Sequence, residues 1–90
     1  MYVKSVTVVN PTGLHARPAA MLATEAAKFD IDVELRNATK DGEFKSARSM
    51  LGIMMAGAGA GDTVEFRADG EGEVEAVDAL VALVESGCGE

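Results

Sequence analysis

Ninety residues, 48% hydrophobic and 26% charged, have the balance of an ordinary globular chain, and the length predicts one domain over residues 1–90. A net charge of −7 with one Tyr, three Phe and no Trp argues against nucleic acid, which wants a basic stripe and stacking rings, and against anionic membrane surfaces. No apolar run approaches the roughly 20 residues of a membrane span, so membrane insertion is not expected.

The charge is unevenly placed. Residues 1–50 hold seven bases and six acids, whereas residues 51–90 hold Arg67 alone against nine acids. The start, MYVKSVTVV, lacks the apolar core and cleavage site of a secretory signal. Cys88 is the only cysteine, which excludes an internal disulfide framework and fits a reducing cytoplasm. A core this small leaves little room for a deep pocket, so a surface site that works with larger partners is the better expectation.

Val3 to Val9 is rich in β-branched residues and ends at the turn cluster Asn10-Pro11-Thr12-Gly13, which predicts a strand. Ala16 to Phe29 places Ala19, Leu22, Ala23, Ala26 and Phe29 at helical spacing, with Thr24, Glu25 and Lys28 opposite. Met21 falls on that polar face, where a core role does not account for it. Ile31, Val33 and Leu35 alternate with Asp32, Glu34 and Arg36 as a second strand. Lys40-Asp41-Gly42 signals a hairpin, with Glu43 to Arg48 returning. Ser49 is placed to cap a short helix through Met55. A loop punctuated by Gly57, Gly59 and Gly61 follows; it lacks the spacing and the lysine of a nucleotide-binding loop. Val64, Phe66 and Ala68 form a fourth alternating strand, and Val74, Val77, Leu80, Val81 and Val84 a final helical stripe that stops before Gly87. The acids of that helix read as a solvated face and Cys88 as an exposed, inert thiol near a frayed end. The order β-α-β-β-α-β-α predicts an α+β fold, a four-stranded antiparallel sheet with its helices on one face.

The only histidine, His15, sits at a strand-to-helix junction in Gly13-Leu14-His15-Ala16-Arg17-Pro18-Ala19. Pro18 suits a first helical turn, so His15 lies beside unpaired backbone N–H groups and the positive end of the helix dipole. Arg17 adds a permanent planar cation two residues on. A lone histidine in a turn is ordinarily a solvated turn residue. Here the neighbours make a cradle for an anion, and a neutral imidazole beside such a cradle is arranged to accept a phosphoryl group. With no second histidine and a distant Cys88, no metal site is expected, and no cofactor.

These seven residues resemble the active-site signature of the HPr family, the histidine phosphocarriers of the bacterial phosphoenolpyruvate-dependent phosphotransferase system. Ser49-Met50-Leu51-Gly52-Ile53-Met54 resembles the family's regulatory-serine helix, and the likeness runs from about Val3 to Gly87. The resemblance implies an open-faced β-sandwich. It implies that His15 receives phosphate on Nδ1 from phosphorylated enzyme I and passes it to an enzyme IIA, with Arg17 and the backbone N–H groups of Ala16 and Arg17 holding the phosphate. It also implies that Ser49 corresponds to the serine that an ATP-dependent HPr kinase (kinase/phosphorylase) modifies in some bacteria. The turn between the second and third strands looks a few residues longer than in sugar-branch members. The ending Leu80 to Gly87 resembles the nitrogen-branch NPr paralogue, whereas Gly52 and Met54 resemble Gram-positive members.

Ala20, Met21, Met50, Leu51 and Met54 are candidates for an apolar apron beside His15, since unbranched thioethers suit a surface that fits several partners. The plainer alternative puts Leu51, Met54 and Met55 in the core; Met21 and Met50 are expected at the surface before Met54. The expected role is a cytoplasmic, monomeric carrier, a covalent relay rather than a stand-alone enzyme. The alternative is a regulatory binding module of the same fold, working through Ser49 outside the relay.

Overall fold

A computed structural model describes residues 1–88. In chain order the elements are β1 (Tyr2–Thr7), α1 (Ala16–Ala26), β2 (Glu34–Asn37), β3 (Lys45–Ser46), α2 (Met50–Met55), β4 (Thr63–Ala68) and α3 (Glu73–Glu85). The strands form one antiparallel sheet in the order β1-β4-β2-β3. This is the α+β arrangement that the periodicities predict, with helices covering one face.

Strand β4 shows why the sheet has two different faces. Val64, Phe66 and Ala68 are buried while Thr63, Glu65 and Arg67 alternate with them toward the open side. The buried set meets Val6 from β1, Leu35 from β2, Leu22 and Ala26 from α1, and Val77, Leu80 and Val84 from α3 in one core. The open face is held by cross-strand pairs. Arg67 Nε donates to Glu34 Oε1 at 2.8 Å, Arg36 Nε donates to Glu65 Oε1 at 2.7 Å, and the Arg67 guanidinium lies 3.6 Å over the Phe44 ring.

Five expectations shift, one of them the second strand, which runs Glu34–Asn37 and leaves Ile31, Asp32 and Val33 outside it. The first strand ends at Thr7 rather than Val9, because Val8 bonds the loop before β4 instead: its N–H donates to Asp62 O and its carbonyl accepts from Gly61 N–H. The first helix stops at Ala26, and Lys28 and Phe29 turn with bonds to the carbonyls of Glu25 and Ala26. The third strand is only Lys45–Ser46, since Arg48 leaves the sheet to bond the carbonyl of Phe29 and pair with Asp32. Cys88 is buried, not exposed. Gly87, at φ +84°, turns the chain back so that Gly87 N–H donates to Val84 O and Cys88 N–H to Leu83 O. Those two bonds are a Schellman closure, which tucks the residue after the glycine against the helix.

Candidate functional site

His15 is the N-cap of α1, in extended backbone at φ −77° and ψ −165°, and its side chain makes no capping bond to the helix. The first bond of the helical ladder runs from Ala19 N–H to His15 O at 2.9 Å. Ala16 and Arg17 therefore present amides that the ladder does not claim, and Pro18, third in the helix, has none to lose. Pro18, Ala19 and Leu22 are buried and anchor this end of α1, while His15, Ala16 and Arg17 are exposed.

The loop that delivers His15 is clamped from two sides. Leu14 is buried, and its N–H donates to Ala58 O at 2.9 Å. Gly13 sits at φ +72° against the same segment, where a Cβ would stand 2.4 Å from Ala58 O. Only glycine fits both that backbone and that gap. On the other side, buried Asn10 donates from Nδ2 to Gly87 O at 2.7 Å, which ties the loop to the end of α3. Sequence reasoning missed Asn10 and Ala58, for neither carries chemistry of its own.

The charges around the site separate Arg17 from every other base. Lys4, Lys28, Arg36, Lys40, Lys45, Arg48 and Arg67 each pair with an acid. Of the eight lysines and arginines, Arg17 is the one without such a partner among the described residues. An unpaired guanidinium beside two unclaimed amides has donors left for an external anion. Among the described residues no group of His, Cys, Asp and Glu gathers as a metal ion would require.

Met21, on α1 about 9 Å along the axis from His15 at the usual helical rise, is 43% exposed. α2 packs against α1 and adds Met50, Leu51 and Met54, all exposed; Ala20 is half-buried. Ile53 is the one residue of α2 buried in the core, so the core role weighed for Leu51, Met54 and Met55 falls to it instead. Met55, which the expected apron did not include, is 63% exposed. Ser49 is the N-cap of α2, is exposed, and its Oγ accepts from Gly52 N–H at 2.9 Å. A groove lined by Lys4, Thr7, Val9, Val81 and Glu85 among others does not include His15.

A sequence model of the PTS HPr component phosphorylation site matches residues 2–86. The chain belongs to the HPr family. The phosphocarrier protein HPr of Cupriavidus necator is 40% identical over 90 residues, covering 100% of this chain and 98% of that protein. The HPr-like protein Crh of Halalkalibacterium halodurans is 39% identical over 85 residues, 94% of this chain and 98% of its own. The crystal structure of HPr from Thermoanaerobacter tengcongensis is 41% identical, covers 100% of this chain and 98% of its own, and superposes with a TM-score of 0.89. Membership in the HPr family makes this a phosphocarrier of the phosphotransferase system. No helix among the described residues is long and apolar enough to cross a membrane.

Proposed function

We propose that His15 is the phosphoryl-accepting residue of a relay that takes phosphate from phosphorylated enzyme I and delivers it to an enzyme IIA. One observation carries the reading: the single histidine stands exposed at the cap of α1, beside the one base with no acidic partner among the described residues. In the first transfer the lone pair of Nδ1 on a neutral ring attacks phosphorus. The Nδ1–P bond forms as the bond from phosphorus to the donor breaks, and the electron pair leaves with the donor. The second transfer runs the same exchange toward the acceptor. Arg17 and the amides of Ala16 and Arg17 hold the phosphate oxygens in both.

An exposed site suits a carrier that meets two partners in turn. Ala20, Met21, Met50, Leu51 and Met54 supply the docking surface, and its modest area favours brief encounters. The protein works as a monomer in the cytoplasm, serving sugar uptake or a nitrogen branch, and enzyme I and IIA complete each transfer site. Ser49 is proposed as the regulatory position for an HPr kinase. Its hydroxyl is exposed, and α2 packs against the helix that carries His15. A phosphate there places a dianion on the surface that partners must cover.

A second reading, a regulatory module outside the relay, draws on likeness to Crh, the catabolite repression HPr of Bacillus subtilis, at 38% identity. Intact mass after incubation with phosphoenolpyruvate and an active cognate enzyme I decides between them. One acid-labile phosphoryl group, absent in His15→Ala, establishes the relay. No gain removes it, and acid-stable phosphate confined to Ser49 after ATP and kinase supports the regulator.

A further inference from the structure

We propose that Asp62 is a positioning residue for phosphoryl transfer, holding the loop between α2 and β4 in the shape that aims His15. The inference rests on the reading of His15 as the phosphoryl acceptor. It names a residue that never touches the phosphate.

The chain of contacts is short. Asp62 Oδ2 accepts from Gly59 N–H at 3.0 Å and from Asn37 Nδ2 at 2.9 Å. Asn37 lies fully buried at the end of β2, and its Nδ2 also reaches Gly57 O at 3.3 Å. Lys40 Nζ donates to the same Gly57 carbonyl at 3.1 Å. One carboxylate oxygen and one buried amide thus fix Gly57 and Gly59, on either side of Ala58. Ala58 is the residue whose carbonyl receives Leu14 N–H, immediately before His15, and whose backbone Gly13 packs against.

The segment needs such a tie. Gly57, Ala58, Gly59, Ala60 and Gly61 have no side chain beyond a methyl group, and glycine backbones are the freest in the chain. Beyond the one methyl of Ala58, which is buried in the core, the position of the Ala58 carbonyl is set by bonds from outside the segment. The backbone of Asp62 adds to this, since its carbonyl accepts from Val8 N–H while its amide bonds Gly59 O. Asp62 therefore joins the segment behind His15 to the sheet. Hydrogen bonds from Gly59 and Asn37, with the charge of Lys40, hold its carboxyl below the usual carboxylate range, so the accepting oxygen stays ionised at neutral pH. Geometry at a phosphoryl-transfer centre tolerates little error, because misplacing the nucleophile by about 1 Å costs up to roughly 10²-fold in rate.

The test compares three substitutions by rapid-quench transfer from phosphorylated enzyme I, below the unfolding range of each protein. Asp62→Ala removes both hydrogen bonds. Asp62→Asn keeps an oxygen that can accept from Gly59 and Asn37. Asp62→Glu keeps the charge but moves it by one methylene. Asp62→Ala is expected to lower kcat roughly tenfold, with KM for phosphorylated enzyme I changed by less than about twofold, because the apron residues are untouched. Asp62→Asn retains most of the rate, and Asp62→Glu falls toward the alanine variant. Amide exchange of Leu14 should quicken in Asp62→Ala while the amides of Phe66 and Leu80 stay protected, as local rather than global loosening requires.

Equal rates in all variants, or a loss that appears only in KM, overturn the proposal. So does a loss shared equally by Asp62→Asn, which would make charge rather than position the cause. If Asp62→Ala does not fold, the contrast between Asp62→Asn and Asp62→Glu decides the question. Failure of the underlying reading is distinguishable, for then the unsubstituted protein takes no acid-labile phosphate.

Discussion

At the scale of single residues the site depends on which groups are left unengaged. Seven of the eight bases are paired with carboxylates, and Arg17 stands out by having no such pair among the described residues. Its removal should cost little stability, because an exposed side chain with no partner leaves no cavity and strands no buried group. Arg17→Ala is expected to keep the thermal midpoint within about 4 °C, since surface changes of this kind stay within roughly 0.5 kcal/mol. Transfer should slow by roughly 100- to 1000-fold in both directions, the scale of losing one donor to a developing anion. Arg17→Lys should recover part of that loss, because it restores the charge without the planar fork. Unchanged rates toward enzyme I and toward the acceptor would remove Arg17 from the site.

At the scale of elements, capping explains both what the chain discloses and what it conceals. A serine ahead of a short apolar run is a local signal, and Ser49 does cap α2 through Gly52 N–H. Ser49→Ala should therefore destabilise the protein by about 1 kcal/mol, measured as a lower urea midpoint with an unchanged slope. A midpoint equal to that of the unsubstituted protein would show that the cap contributes nothing to a helix of six residues. Local signals of this kind also located β4, α3 and the cap position of His15. The short third strand depended instead on Arg48 reaching the carbonyl of Phe29, 19 residues away in sequence. The burial of Cys88 depended on Gly87 adopting a left-handed turn, and a glycine near a terminus is read as easily as fraying. The buttress behind His15 was equally hidden. Asn37 and Asp62 are 25 residues apart, and only the antiparallel pairing of β2 with β4 brings them into contact.

At the scale of the whole molecule, one carboxylate joins the first strand to the last helix. Asp78 Oδ1, on α3, accepts from Tyr2 Oη at 2.8 Å and from Lys4 Nζ at 3.2 Å, both on β1. The acids of α3 were expected to form a solvated face, and Asp78 departs from it because β1 presents two donors at one point. The Tyr2 hydroxyl, then Lys4, holds the Asp78 carboxyl below its ordinary range, while the same bonds raise the Tyr2 phenol and the Lys4 ammonium. A depressed carboxyl contributes stability in full above its unfolded value, near 4, and loses it as pH falls through the lower folded value. A raised phenol or ammonium contributes in full below its unfolded value, near 10, and loses it as pH rises through the higher folded one. The clamp should thus be strongest across neutral pH and fail at both extremes. Subtracting the urea stability of Asp78→Asn from that of the unsubstituted protein isolates this contribution, because Asp62 and the remaining carboxylates titrate in both and cancel. The difference is expected to be positive and flat from about pH 5 to pH 9 and to shrink below about pH 4. Above about pH 10 it should fall again, as the ammonium is lost and the phenolate repels the carboxylate. A difference that stays constant through the acid limb would show that the pairing of Asp78 with β1 contributes nothing through its charge.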